Sequence, residues 1–285
     1  MNGFTAIGKY LPGAKTIVKN IPAGHIPGVN DLYVAKPNGL TIGIFSPSTI
    51  SGQLVGQKGV KYDLRKMSWL GSCSSDVRTL VVGKHTFYKS LEGLAESKET
   101  IKFGVTAVGG RPYVDAIISK MALGASNWKV ITGYKGGDVE LAIMRKEIDA
   151  TFGGWGSMRS FVESGEARVL MFISDKPVKD YEHSPLLENF STEEHKPAVK
   201  LQAFLGRFDR CWAGPPGIPA NRLKILREAF KSSWYDTDLL KRAKKLGRSV
   251  DYMSGEEASI LIMESLEQPP ATVKLMKSLI LVLAQ

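Results

Sequence analysis

Two periods of hydrophobicity alternate along this chain. Short runs of β-branched and aromatic residues are separated by stretches in which apolar side chains recur at helical spacing. The first part reads as a helix over 5–11 stopped by Pro12-Gly13, then a strand over 16–20. A turn-rich loop leads to a helix over 29–36, the turn Pro37-Asn38-Gly39 and a buried-type strand over 40–45. Strand, helix, strand within so short a span predicts a parallel sheet with right-handed crossovers.

The alternation continues with strands over 69–73 and 79–82 and a helix over 90–96. A β-type run, Lys102-Phe103-Gly104-Val105, then enters a loop of small residues and leaves it as an amphipathic helix over 113–123. Further strands fall at 129–133, 148–152 and 168–174, with helices at 137–145 and 155–163. Residues 176–200 read as polar and irregular, a loop with short helical turns. The Gly/Pro-rich stretch Cys211 to Pro219 marks a boundary, after which helices dominate: 220–234, 238–246, 256–266 and 270–283, with a strand near 249–253. The pattern as a whole is α/β, without internal repeats.

A strand-loop-helix such as 102–123 gathers backbone N–H groups at a helix N-terminus, where they attract an anion. Taken alone, this stretch favours an ordinary βα connection, because Gly109-Gly110 matches no phosphate-loop pattern.

Charge adds a constraint. The 285 residues carry 38 basic and 28 acidic side chains, a net +10 with a pI near 9.4, which suits an acidic partner. Residues 84–210 hold 18 basic and 17 acidic side chains, so nearly all of the excess lies in the flanking segments. Hydrophobic content of 43% and charged content of 23% are those of a globular chain long enough for two domains.

Signatures of catalysis and cofactor binding are absent from the pattern. His25, His85, His183 and His195 show no metal-ligand spacing, and no nucleophile elbow, Walker motif or dinucleotide fingerprint occurs. No catalytic residue, metal site or cofactor is therefore assigned. The basic run Lys241 to Arg248 ends a helix without interleaved aromatics, where it complements the helix dipole, and nucleic acid is not an expected partner. Cys73 and Cys211 fit no redox or zinc pattern and read as buried thiols, bridged only if the fold brings them together. No secretory signal opens the sequence, and no apolar stretch is long enough to span a bilayer.

Five segments together carry a family resemblance. Val18-Lys19-Asn20-Ile21-Pro22-Ala23-Gly24, Ala35 to Gly43, Phe103 to Gly110, Gly133-Tyr134-Lys135-Gly136 and Ala213 to Pro219 follow the order and spacing of motifs in one family. The chain resembles the solute receptors of tripartite tricarboxylate transporters, the Bug or TctC family. That resemblance implies a two-lobed periplasmic-binding-protein fold of the flytrap type. Lobe 1 would comprise 1–81 and 211–285, and lobe 2 would comprise 82–210. Cys73 and Cys211, each beside a crossing segment, would then lie near one another.

The resemblance also implies a function: a periplasmic, monomeric receptor that holds a small organic acid between its lobes and delivers it to a membrane permease. Ligand groups carried over are Ser46, Ser48, Thr106, Ala107, Val108, Gly109, Gly110, Arg111, Gly154 and Trp155. Gly110 and Arg111 depart from the family's serines; Arg111 either pairs a second ligand carboxylate or sits on the surface at a helix start, and because a cation there opposes the dipole it is read as a ligand or interlobe partner. The front departs further, since residues 6–11 align with the middle of the family's first helix. The signal, first strand and first Gly-rich loop have no counterpart, which points to a misplaced start, a truncation or a decayed gene. A cytoplasmic sensor or enzyme on the same fold, or a non-binding fragment, stand as alternatives.

Overall fold

The computed structural model describes residues 3–21, 25–245 and 250–281. Residues 22–24 of the first signature, the predicted strand start at 249, and the predicted helix ends at 246 and 283 lie outside these ranges. The chain divides into two compact units, 1–75 with 208–268 and 76–207 with 269–285.

Unit 1 opens with helix α1 (Gly3–Gly8), helix α2 (His25–Tyr33), strand β1 (Gly43–Phe45) and helix α3 (Ser48–Leu54). After a 3-10 turn, Leu64–Lys66, comes β2 (Ser68–Ser72). Its later part supplies β8 (Cys211–Gly214), α10 (Ala220–Trp234), α11 (Thr237–Lys245), β9 (Met253–Ser254) and α12 (Gly255–Leu266). The sheet order is β1-β8-β2-β9, and every pair is antiparallel.

This corrects the expected parallel sheet in this unit. β8 lies between β1 and β2, so those two run parallel without touching. The predicted strand over 16–20 is not a strand: among the described residues it makes no backbone hydrogen bond. Its β-branched residues have the right propensity, but a strand needs a neighbour to satisfy its N–H and C=O groups.

One tie holds α1 in place. Asp236 accepts from the Leu239 amide at 2.9 Å, capping α11, and from Lys9 Nζ at 3.0 Å and Tyr10 Oη at 2.9 Å. The amide, then Lys9 and Tyr10, hold its carboxyl down to about 2.

Unit 2 holds β3 (Arg78–Gly83), α4 (Leu91–Ala95), β4 (Ile101–Gly104), α5 (Arg111–Ala122), β5 (Trp128–Ile131) and α6 (Asp138–Met144). It continues with β6 (Ala150–Gly154), α7 (Trp155–Glu163), β7 (Ala167–Ile173), α8 (Leu187–Phe190), α9 (Lys196–Leu205) and the C-terminal α13 (Pro270–Leu281). Its sheet order is β5-β4-β6-β3-β7. β5, β4 and β6 are parallel, and β3 runs against both β6 and β7. Every residue of β3 is buried, as its continuous apolar run Leu80-Val81-Val82 requires of a central strand.

Two features differ from expectation. The ten-residue α9 occupies part of 176–200 and beyond, longer than the short helical turns expected there, because a face with Ala198, Leu201, Gln202 and Leu205 is buried. Helix α13 packs on α5 and α9, so the C-terminal segment belongs to unit 2, and all of β3 does too. Cys73 and Cys211 are buried in unit 1 as thiols rather than a disulfide, and burial pushes Cys73 up to about 12.

Phe103 anchors the unit 2 core, fully buried with ring centroids 4.3 Å from Trp128 and 5.8 Å from Phe152. Phe103→Ala should cost about 3–5 kcal/mol, read as a lowered urea midpoint at unchanged slope. A second expectation concerns pH. Because Asp236 is depressed, its contribution is present above the ordinary carboxylate pKa of about 4 and is lost as pH falls towards 2. The stability gap between the native protein and Asp236→Asn should therefore narrow across that window, measured by urea titration at successive pH values.

Candidate functional site

The loop that joins β4 to α5 is built by backbone geometry. β4 ends at Gly104, and the Val105 amide donates to the Ile131 carbonyl at 2.8 Å, extending the parallel ladder by one step. The Gly133 amide then donates to the Thr106 carbonyl at 2.8 Å, fixing the loop's first residue. Residues 107–110 form a turn closed by the Gly110 amide donating to the Ala107 carbonyl at 3.0 Å. Gly109 has φ +74°, while Val108 is not among the residues of positive φ, which makes this a type II turn with glycine at its third position.

Gly110 is needed for space. A Cβ there would lie 3.0 Å from Thr106 Oγ1 and 3.1 Å from the Ala107 carbonyl oxygen. That explains the departure from the serine expected by resemblance: the tight turn closes over the position.

What the loop offers is a set of donors. Among the described residues the amides of Thr106, Ala107, Val108 and Gly109 donate to nothing. Thr106, Ala107 and Val108 are exposed, and the N-cap of α5, Gly110, has no side chain to satisfy the helix start. Pro112 in the first turn removes one N–H that would otherwise lack an acceptor. The helix adds roughly half a positive charge at this end. Such an arrangement can bind an anion through backbone hydrogen bonds.

Beneath the loop lies a charged cluster. Arg78 on β3 donates through Nε to Asp115 Oδ2 at 2.7 Å and through Nη1 to Asp76 Oδ2 at 2.9 Å. Asp115, on α5, is fully buried, and Arg78 is nearly so. Burial opposes the charge on Arg78, but Asp115 and Asp76 outweigh it and hold the guanidinium above its ordinary pKa. The pair ties the first half of α5 to the central strand. Sequence reading missed it, although an Arg opening an apolar strand and an Asp within Val114-Asp115-Ala116-Ile117-Ile118 are the signal of a buried ion pair.

Three expected ligand residues are placed otherwise. Arg111 is buried and donates through Nη1 and Nη2 to the carbonyls of Leu205 and Gln202, at 3.2 and 3.3 Å, at the C-terminal end of α9. Its cation serves that end of a helix dipole, with Asp115 at 3.8 Å, which is why it tolerates the start of α5. The Trp155 amide donates to Val77 at 2.7 Å, and its ring packs edge-on against Phe172 and Tyr181. Gly154 is overlain by the Asp76 carboxylate, which repels rather than attracts an anion.

In unit 1, Ser46 and Ser48 follow β1, with their hydroxyls 2.6 Å apart. The Thr49 hydroxyl donates back to the Ser46 carbonyl at 2.8 Å, bracing the start of α3. Among the described residues no cluster of three potential metal ligands occurs, and no helix is long and apolar enough to cross a membrane.

Asp115→Ala would leave Arg78 buried beside a single remaining carboxylate. The loss should be about 3–5 kcal/mol of stability by denaturant titration, with Asp115→Asn losing less because the hydrogen bond to Nε survives.

No protein-family model and no curated protein matches the chain. Solved structures do match. A TctC solute-binding protein from Polaromonas is 16% identical, with a TM-score of 0.70 over 98% of this chain and 90% of its own. The periplasmic binding protein BugD is 15% identical, with a TM-score of 0.75 over 97% and 90%. MatC from Rhodopseudomonas palustris, solved with bound malate, is 13% identical, with a TM-score of 0.72 over 98% and 92%. Similarity this extensive at such low identity is similarity of fold, and the chain has the fold of the periplasmic solute-binding proteins.

Proposed function

We propose that this protein is a solute receptor of the Bug/TctC type that binds a small organic acid and performs no chemistry on it. The observation that carries the proposal is the row of four unpaired amides, Thr106 to Gly109, at the uncapped head of α5. A carboxylate has the charge and the several lone pairs such a row can satisfy, and backbone donors demand no particular side chain on the acid. The likeness in fold to MatC with malate supports the same class of ligand.

In this reading the protein works outside the cytoplasm and hands its ligand to the membrane permease of a tripartite transporter. The fold shared with BugD and the Polaromonas TctC protein supports both parts. Backbone amides of the loop take the ligand role, while the Arg111, Gly154 and Trp155 side chains or backbone serve packing. Ser46 and Ser48 remain candidate ligand hydroxyls.

The type II turn supplies a clean test. Proline is favoured at its second position, so Val108→Pro deletes one amide without disturbing the turn. A hydrogen bond to a charged group is worth about 1.5–3 kcal/mol, so affinity should fall roughly 10- to 100-fold. A thermal-shift screen of mono-, di- and tricarboxylates, malate included, identifies the ligand, and calorimetry then compares the two proteins. Stabilisation by no acid at large excess would refute the receptor, and an unchanged Kd in Val108→Pro would refute the loop as its site.

A further inference from the structure

Helices α10 and α11 of unit 1, with the two residues that join them, carry eight basic and three acidic side chains between Ala220 and Lys245. Two of the acids are engaged. Asp236 is held by Lys9, Tyr10 and the Leu239 amide, and Asp238 lies 3.4 Å from Lys9. That leaves Glu228 as the one acid of this stretch without a cation partner among the described residues. Of the bases, Arg227 meets Glu256 and Arg222 donates to the Asn38 carbonyl. Lys224, Lys231, Lys241, Arg242, Lys244 and Lys245 are all exposed and form no ion pair among the described residues.

Helical spacing puts these cations on solvent faces. On α10, Lys224 and Lys231 stand two turns apart on the side opposite the buried Leu226, Phe230 and Ser233. On α11, Lys241, Lys244 and Lys245 share the side opposite the buried Leu239. The helix dipole accounts for a cation in the last turn. It does not account for repeating one at i, i+3 and i, i+4, where like charges repel and weaken the helix. An apolar group accompanies the charge on each helix. Tyr235, 61% exposed, follows Lys231 by four residues, and Leu240, 38% exposed, precedes Lys244 by four.

We propose that the solvent faces of α10 and α11 dock on an anionic lipid surface, with the lysines among headgroup phosphates and Tyr235 and Leu240 at the edge of the acyl region. The identity of the cations selects this partner. All but Arg242 are lysine, which is depleted from protein interfaces, whereas arginine, with a planar fork that matches a carboxylate, is enriched there. A hydrated point charge on a flexible stem instead suits a fluid plane of phosphates, where each cation adds attraction without a fixed geometry. Tyrosine suits the same boundary, its ring in the apolar layer and its hydroxyl in water. Both helices keep their apolar sides on the core of unit 1, so the contact is peripheral and held by charge. It is independent of the anion loop in unit 2 and of what that loop binds.

The test is co-sedimentation of the full chain with vesicles of phosphatidylcholine alone and of phosphatidylcholine and phosphatidylglycerol in equal parts. The protein should partition onto the mixed vesicles, stay in solution with the neutral ones, and be released as salt rises. The triple variant Lys241→Gln, Lys244→Gln, Lys245→Gln relieves repulsion within α11, so it should keep its far-ultraviolet circular dichroism. Its partition should fall roughly fivefold per cation, about 100-fold in all. A control triple, Lys58→Gln, Lys61→Gln, Lys66→Gln, removes the same charge from exposed positions between α3 and β2 and should bind within a few-fold of the native protein. Equal loss in both triples would mean attraction by net charge alone and would overturn the docking face, as would equal binding to both kinds of vesicle or to neither. Polyglutamate binding as tight as binding to the mixed vesicles would assign the face to an acidic protein instead.

Discussion

A backbone N–H or C=O that leaves water must find a partner, and the organisation of this protein follows from where that requirement is met and where it is not. In unit 2 it is met by the ladder β5-β4-β6-β3-β7, whose parallel members deliver Val105 and Gly104 to one end of the sheet. At that end the chain must reverse into α5, and the first turn of a helix has no acceptors of its own. At some helix starts a side chain serves, as Ser254 does for α12 and Ser90 for α4. At α5 the cap is glycine, and among the described residues the four preceding amides donate to nothing, three of them on exposed residues. The donors are thus a consequence of fold and of one turn.

The helix that follows that loop is fastened by buried charges. Arg78 and Asp115 are both withdrawn from water, which costs each several kcal/mol and is offset only by their mutual pairing and by Asp76. Arg111 looks, by position, like a ligand group, yet its guanidinium turns back to the last carbonyls of α9. The result fastens α5 to β3 on one side and to α9 on the other. A basic residue at a helix start can therefore act on the scaffold, fastening α5 to α9.

Unit 1 shows the same requirement left open. Its sheet is antiparallel because β8, far along the chain, inserts between β1 and β2. The stretch 15–21 has strand composition and strand-like burial without a strand's hydrogen bonds, and β1 has a free edge towards it.

The sequence by itself determined most elements and the class of fold. Hydrophobic period located β3, β6, β7, α5, α7 and α10 within a few residues, and five ordered motifs pointed to the solute-receptor fold. The turn at Gly109-Gly110 was legible because positive φ and close packing leave a glycine signature. What it did not determine was partnership. That 16–20 lacks a neighbour, that α13 joins unit 2, that Arg78 meets Asp115, and that Trp155 packs inward all depend on residues distant in the chain. Local pattern reports what a segment would do given a partner. Only tertiary structure decides whether the partner is there, because hydrogen bonds and desolvated charges are satisfied across space and not along the sequence.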